Sequence, residues 1–321
     1  MRRRSFLALL GGASVWPVVA GAQPAAAPVV GFLHFAPAAG LAHIVEALRQ
    51  SVKDAGVDIM IEPRWAEDHF DRLPALAAEL VERRVAVIVA GGHSAALATK
   101  ATTRTTPIVF LTGGDPVADG LVSSLSHPGG NATGLSVFTS TITAKRLELT
   151  RELAPHAALI AVLVNPKNPT TGPELRTLQA AARAMGQELL ILEADGPQGI
   201  DEAFATLVQR RAGALLVGAD GTFSSRRDRL IALATRHSVP AVYHSREFAA
   251  SGGLISYGTD ISDAYRQAAG YVARILQGAS PADLPVLQPT KFDLVINMRT
   301  AKALGLAIPR GLLARANQVI E

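Results

Sequence analysis

Past Ala27 the chain alternates short apolar runs, rich in β-branched residues, with stretches whose apolar positions recur at helical spacing. Residues 29–33 read as a buried strand, and residues 44–52 as an amphipathic helix that Gly56 ends. A strand over 59–65, a helix over 73–84 and strands over 86–90 and 108–111 follow. The same order then returns: a strand over 159–164, a helix over 174–185 closed by Gly186, a strand over 188–192, a helix over 200–211, and strands over 214–217 and 241–243. Strands separated by helices predict parallel pairing with right-handed crossovers.

Local wording repeats with the pattern. Arg83-Arg84-Val85-Ala86-Val87-Ile88-Val89-Ala90-Gly91 resembles Arg210-Arg211-Ala212-Gly213-Ala214-Leu215-Leu216-Val217-Gly218, and Thr106-Pro107-Ile108-Val109 resembles Val239-Pro240-Ala241-Val242. The offset stays at roughly 130 residues, about one domain length. The expectation is an α/β chain of two similar Rossmann-like lobes with parallel sheets. Residues 29–135 with about 257–285 would form the first lobe, and 136–256 with about 286–321 the second. Two turn-rich stretches, 126–134 and Ser251-Gly252-Gly253, are the expected crossovers, where glycines would allow hinge bending.

Composition supports two packed cores. The chain has 321 residues, 49% of them apolar and 18% charged, which argues against disorder. The formal charge of +4 includes Arg2, Arg3 and Arg4. Those arginines open a leader over residues 1–22: a short apolar core follows them, and Ala20-Gly21-Ala22 supplies a small-x-small cleavage pattern. Arg3-Arg4-Ser5-Phe6-Leu7 also fits the twin-arginine export signal. The mature chain would then be nearly neutral, with no basic face to argue for nucleic acid. There is no cysteine, which excludes disulfides, cysteine catalysis and an N-terminal lipid anchor. The expected product is exported, periplasmic, soluble, monomeric and not a lipoprotein.

Ligands of parallel α/β sheets bind beyond the carboxyl ends of the strands. Two facing lobes would pool His34, Phe35, Gly92, His93, Ser94, Thr112 and Asp115 from the first. The second would add Asn165, Asp220, Phe223, His244, Arg246 and Glu247, with Phe138 just past the first crossing. Small polar residues, a few acids, an arginine and aromatics suit a small polar or aromatic ligand. Gly91-Gly92-His93-Ser94 also opens a helix, whose free N–H groups attract an anion. Two other chemistries can be written on these residues. His34, His93 and His244 all follow strands and offer three ligands to a metal, and Ser94 with His93 and Asp115 suggests a hydrolase. No Gly-x-Ser-x-Gly elbow mounts that serine, however, and no Gly-x-x-x-x-Gly-Lys-Ser/Thr loop exists for a nucleotide. No motif calls for a cofactor or a metal.

Several segments carry a family resemblance: Arg64-Trp65-Ala66-Glu67, Leu73-Pro74-Ala75-Leu76-Ala77, residues 115–122, Pro128-Gly129-Gly130-Asn131-Ala132-Thr133-Gly134, Lys145-Arg146-Leu147-Glu148-Leu149, residues 164–169 and residues 289–297. Together they resemble the bacterial ABC-transporter substrate-binding proteins of the tryptophan or aromatic-amino-acid-binding type. The resemblance implies a type I periplasmic-binding fold, an inter-lobe cleft with Thr112, Asp115, Asn165 and Asp220 as leading contacts, and an ABC permease as partner. It implies a binding protein and not an enzyme. The stretch after the Asn-x-Thr-Gly turn, Leu135-Ser136-Val137-Phe138, carries no acid for a ligand ammonium, so an aromatic or organic acid stands beside an amino acid as candidate. A ligand-sensing partner of a membrane receptor would use the same cleft.

Overall fold

β-branched and leucine-rich runs become strands here because helices cover both faces of each sheet and remove the whole run from water. The computed structural model describes residues 27–38, 41–137, 139–288 and 291–321, the side chains of 139–141 excepted. The expected leader, Phe138 and the start of the 289–297 segment lie outside the described residues. The first lobe runs β1 (Val29–His34), α1 (Ala42–Asp54), β2 (Met60–Trp65), α2 (Leu73–Glu82), β3 (Val87–Gly91), α3 (His93–Thr102), β4 (Ile108–Thr112) and β5 (Ala132–Ser136). The second begins with α4 (Thr139–Leu153), β6 (Leu159–Val164), α5 (Thr171–Met185), β7 (Glu188–Glu193), α6 (Pro197–Gln209) and β8 (Ala214–Val217). It continues through α7 (Gly221–Ser225), α8 (Arg227–Arg236), β9 (Ala241–Tyr243), α9 (Arg246–Ala250) and β10 (Ile255–Thr259). The chain then returns to the first lobe as α10 (Ile261–Leu276) and ends in the second with β11 (Phe292–Asn297), α11 (Met298–Ala303), α12 (Arg310–Arg315) and β12 (Gln318–Ile320).

The repeat seen in the sequence is a repeat of topology. The first sheet is ordered β2-β1-β3-β4-β5, all parallel. The second contains β7-β6-β8-β9-β10 in the matching order, extended by β11, antiparallel to β10, and by β12. Arg84 and Arg211 hold equivalent left-handed turns, both at φ 54°, before β3 and β8. Each fifth strand also needs a glycine where it crowds the fourth. A Cβ at Gly134 would lie 2.0 Å from the Phe110 carbonyl oxygen, and one at Gly258 1.9 Å from that of His244.

Each sheet lies between two helical layers. In the first lobe α1 and α10 pack over Phe32, Val87 and Val109, while α2 and α3 cover Ile88, Ala90 and Phe110. In the second, α6 and α8 enclose a core around Phe204, Phe223 and Phe248, opposite α4, α5 and α12. Among the described residues no helix is long and apolar enough to cross a membrane.

The crossings differ from those expected of the turn-rich stretches. The 126–134 stretch leads into β5 of the first sheet, and Ser251-Gly252-Gly253 is the turn between α9 and β10 within the second lobe. The chain passes between sheets after Ser136, after Thr259 and after Leu287, which bridges Leu135 at the edge of the first sheet. The expected border at 256/257 therefore falls inside β10, and that at 285/286 just before Leu287.

Candidate functional site

The strand ends of the two lobes face one another across a cavity of about 220 Å³. Its first-lobe wall starts at His34, the last residue of β1. The Ala36 amide donates to His34 Nδ1 at 3.0 Å, so the proton of a neutral ring sits on Nε2. Burial lowers the His34 pKa to about 4 and keeps it neutral. Phe35 stacks on His34 and Phe70, with ring centroids 5.2 and 5.0 Å away. Gly91 has no side chain because Tyr265 of α10 and His34 fill that space; a Cβ would stand 2.3 Å from the tyrosine hydroxyl oxygen. Gly92, at φ 95°, turns the chain into α3, which brings His93 and Ser94 to the wall. His93 Nδ1 lies 2.7 Å from Thr112 Oγ1, and burial pushes its pKa down against the opposing pull of Asp119.

The second-lobe wall rests on Asp220, which caps α7 by accepting from the Thr222 amide at 2.8 Å. Asn165 and Asn168 donate to the same carboxylate at 3.2 and 2.8 Å. Burial pushes its pKa up and these hydrogen bonds oppose it. Beside it, Ser224 Oγ gives its proton to the Asp220 carbonyl and lies 3.0 Å from His244 Nε2. The hydroxyl thus accepts from Nε2–H. Burial, then the nearby Arg146 charge, lower the His244 pKa to about 3. Neutral His244 therefore carries a bare lone pair on Nδ1.

Nine of the expected residues come together on this cavity: His34, Phe35, Gly92, His93, Ser94 and Thr112 from one lobe, Asp220, His244 and Glu247 from the other. Five do not. Asp115 is exposed, and its Oδ1 accepts from the Val117 and Ala118 amides to cap a turn that leads away. Asn165 stands behind Asp220. Phe223 faces the lobe core at 0% exposure. Arg246 reaches outward to Gln318 at 2.8 Å. Phe138 lies outside the described residues. The serine-hydrolase arrangement is not assembled, since His93 engages Thr112 and Asp115 is spent on its turn. Sequence reasoning missed Arg146, Asn168, Arg227, Thr259 and Tyr265, which also line the cavity.

Two contacts tie the lobes together directly. Asp68, on the loop after β2, accepts from Thr222 Oγ1 at 3.0 Å and forms an ion pair with Arg226 at 2.6 Å. The Phe35 ring meanwhile sits on Gly221, where a Cβ would stand 2.4 Å from the ring tip. This is a closed cleft.

A two-lobed body with ligand-sized space at opposed strand ends prompts comparison with known binding proteins. The chain matches the ABC transporter substrate-binding protein family over residues 30–320. It belongs to that family. A tyrosine-binding protein of Clostridioides difficile is 27% identical to this substrate-binding protein over 262 residues, 82% of this chain and 75% of the relative. A conserved domain protein of Vibrio cholerae superposes with a TM-score of 0.83 at 27% identity, covering 91% of this chain and 99% of the other. An ABC domain from Streptococcus pneumonia in complex with L-Trp shares the fold at TM-score 0.81 and 24% identity, covering 91% and 100%.

Burial of neutral histidines should make the cleft of this substrate-binding protein acid-labile. His34 binds its proton near pH 4 when folded and near 6.5 when unfolded, so the unfolded state takes up protons first as pH falls. Stability is then full above pH 6.5 and declines toward pH 4, by about 1.4 kcal/mol per pH unit for that residue. Urea midpoints should drop between pH 7 and 4.5, and less steeply in His34→Asn, whose amide oxygen can still accept from Ala36. Equal slopes in the two proteins would show that His34 does not carry the effect.

Proposed function

We propose that this chain is the periplasmic solute-binding component of an ABC importer, exported through its twin-arginine leader. It closes its lobes around one small organic ligand, an amino acid or an aromatic or organic acid, and presents the closed form to an inner-membrane permease. The observation that carries the reading is a cavity walled by both lobes in a form where residues from each side touch. A ligand that contacts both walls stabilises that form over the open one, which is the capture step. The tyrosine-binding relative supports an aromatic ligand, and Phe35, Phe248 and Tyr265 in the cavity wall fit one. The permease supplies the route across the membrane, and nothing in the chain's motifs suggests ATP binding or turnover.

Trp65 stands beside Phe32 and His34 near the wall and is the sole tryptophan left once the leader is removed. Its fluorescence should titrate saturably with L-tyrosine, L-tryptophan, L-phenylalanine or their deaminated acids. The melting temperature should rise with ligand by about 5 °C at a hundredfold excess over Kd. A panel of amino acids, aromatic acids and sugars that moved neither signal would remove the proposal.

A further inference from the structure

Among the described residues, Arg146, His244 and Thr259 line the second-lobe side of the cavity, and each carries a buried polar atom without a hydrogen-bond partner: Nε, Nδ1 and Oγ1 respectively. Buried polar atoms are costly to leave unmet, and in binding proteins such atoms in a cleft wall mark what the ligand brings. Arg146 is 1% exposed. It is held by Thr143 Oγ1 at 3.1 Å, the Val217 carbonyl at 3.5 Å and the Glu174 carboxylate at 3.8 Å, all of which engage its Nη atoms. That clamp fixes the guanidinium and leaves the Nε–H unused. His244, neutral and tied by Nε2 to Ser224, offers an acceptor at Nδ1. Thr259, at the end of β10, offers a hydroxyl.

We propose that Arg146, His244 and Thr259 read the polar head of the ligand, and that this head is a carboxylate flanked by a neutral hydroxyl donor, as in an aromatic 2-hydroxy acid. The carboxylate takes the Arg146 Nε–H and the Thr259 hydroxyl, and the ligand hydroxyl donates to His244 Nδ1. The inference rests on the solute-binding reading above and narrows its ligand. An ammonium is disfavoured at this end for two reasons. It would share the space with the Arg146 charge, which already depresses His244. The neighbouring acids are also engaged: Asp220 by Asn165, Asn168 and the Thr222 amide, and Glu174 by Thr143 and Arg146. Glu247 is the other carboxylate of the cavity wall, and it supplies the counter-hypothesis: an ammonium paired there.

The test is calorimetry on the mature protein with 3-phenyllactate, L-phenylalanine and L-phenylalaninamide, together with melting curves in propionate. Phenyllactate should bind at least as tightly as phenylalanine, and the amide, lacking a carboxylate, at least thirtyfold more weakly than either. Arg146→Gln should cost about a hundredfold for phenyllactate. Thr259→Val, an isosteric change outside the guanidinium clamp, should cost about tenfold and covers the case in which Arg146→Gln does not fold. Phenylalanine binding tenfold better than phenyllactate, with that preference erased by Glu247→Gln, would overturn the hydroxy-acid assignment. Amide and acid binding within threefold of one another would overturn the carboxylate assignment. If no aromatic compound binds, propionate separates the two readings. Stabilisation of the wild type but not of Thr259→Val keeps the carboxylate reader and removes the aromatic ligand, whereas no stabilisation removes the reader too.

Discussion

Gly221→Ala should weaken ligand binding by about two orders of magnitude while leaving each lobe folded. The reason is where the new methyl would go. An ideal Cβ at Gly221 meets Phe35 Cζ at 2.4 Å, Phe35 Cε1 at 2.7 Å and the Ala36 Cβ at 3.3 Å, all three belonging to the opposite lobe. Within its own lobe the position opens the short helix α7, and its backbone lies outside the left-handed region, so alanine is conformationally acceptable there. The clash thus exists in the closed form and would be absent from an open one. Real Cβ atoms do not approach ring carbons so closely, and Phe35 is pinned between His34 and Phe70. A penalty of about 2.7 kcal/mol on closure lowers affinity about a hundredfold, because the binding-competent population falls by that factor. Titration against the best ligand of the panel reads the loss, and an unchanged ligand-free melting curve shows that the lobes are intact. Affinity within threefold of the wild type would mean that closure does not bring Phe35 onto Gly221.

The strand–helix order and the doubling of the plan were legible because they depend on hydrophobic period, which buried parallel strands write plainly. β5 was not. Ala132-Thr133-Gly134-Leu135-Ser136 reads as the tail of a turn, yet it pairs along β4, and the glycine that looks like a turn former is there because the Phe110 backbone leaves no room for a side chain. The site was legible where a residue ends a strand or directly follows one: His34, Thr112 and His244 all sit at the cavity. The rule failed one turn further on. Asp115 spends its carboxylate on its own turn, and Phe223, three residues into a helical turn from Asp220, swings into the core. It also had no means of finding Arg146 or Tyr265. Each comes from the body of a helix, α4 and α10, that enters its lobe after a chain crossing. Which helix lies under which strand end is a tertiary fact with no local signature.

The closed form also depends on a charge pair that touches no part of the cavity's polar head. Asp68 and Glu67 take left-handed backbone, at φ 65° and 55°, and the Asp68 amide bonds to the Phe35 carbonyl at 2.8 Å, which aims the carboxylate across the gap. There it meets Arg226 and the Thr222 hydroxyl. The Asp68 side chain is 10% exposed and that of Arg226 22%, so water screens the pair less than it would a surface ion pair. In an open form of the proposed binding cycle both charges would return to solvent. The interaction should therefore act on the open–closed equilibrium and not on folding, and a partly shielded ion pair with the Thr222–Asp68 hydrogen bond beside it contributes about 1–2 kcal/mol. Asp68→Ala and Arg226→Ala should each reduce ligand affinity about tenfold or more. The double variant should lose less than the product of the two, because both remove one shared contact. Small-angle scattering should show a larger radius of gyration for Asp68→Ala than for the wild type at equal, subsaturating ligand. Losses that multiply independently, or a scattering curve unchanged from the wild type, would show that the pair plays no part in holding the lobes shut. Thr222 extends the consequence inward, since its hydroxyl bonds Asp68 while its amide bonds Asp220. The clasp and the floor of the cavity are then one hydrogen-bonded unit, so a ligand that steadies Asp220's neighbourhood also steadies the clasp.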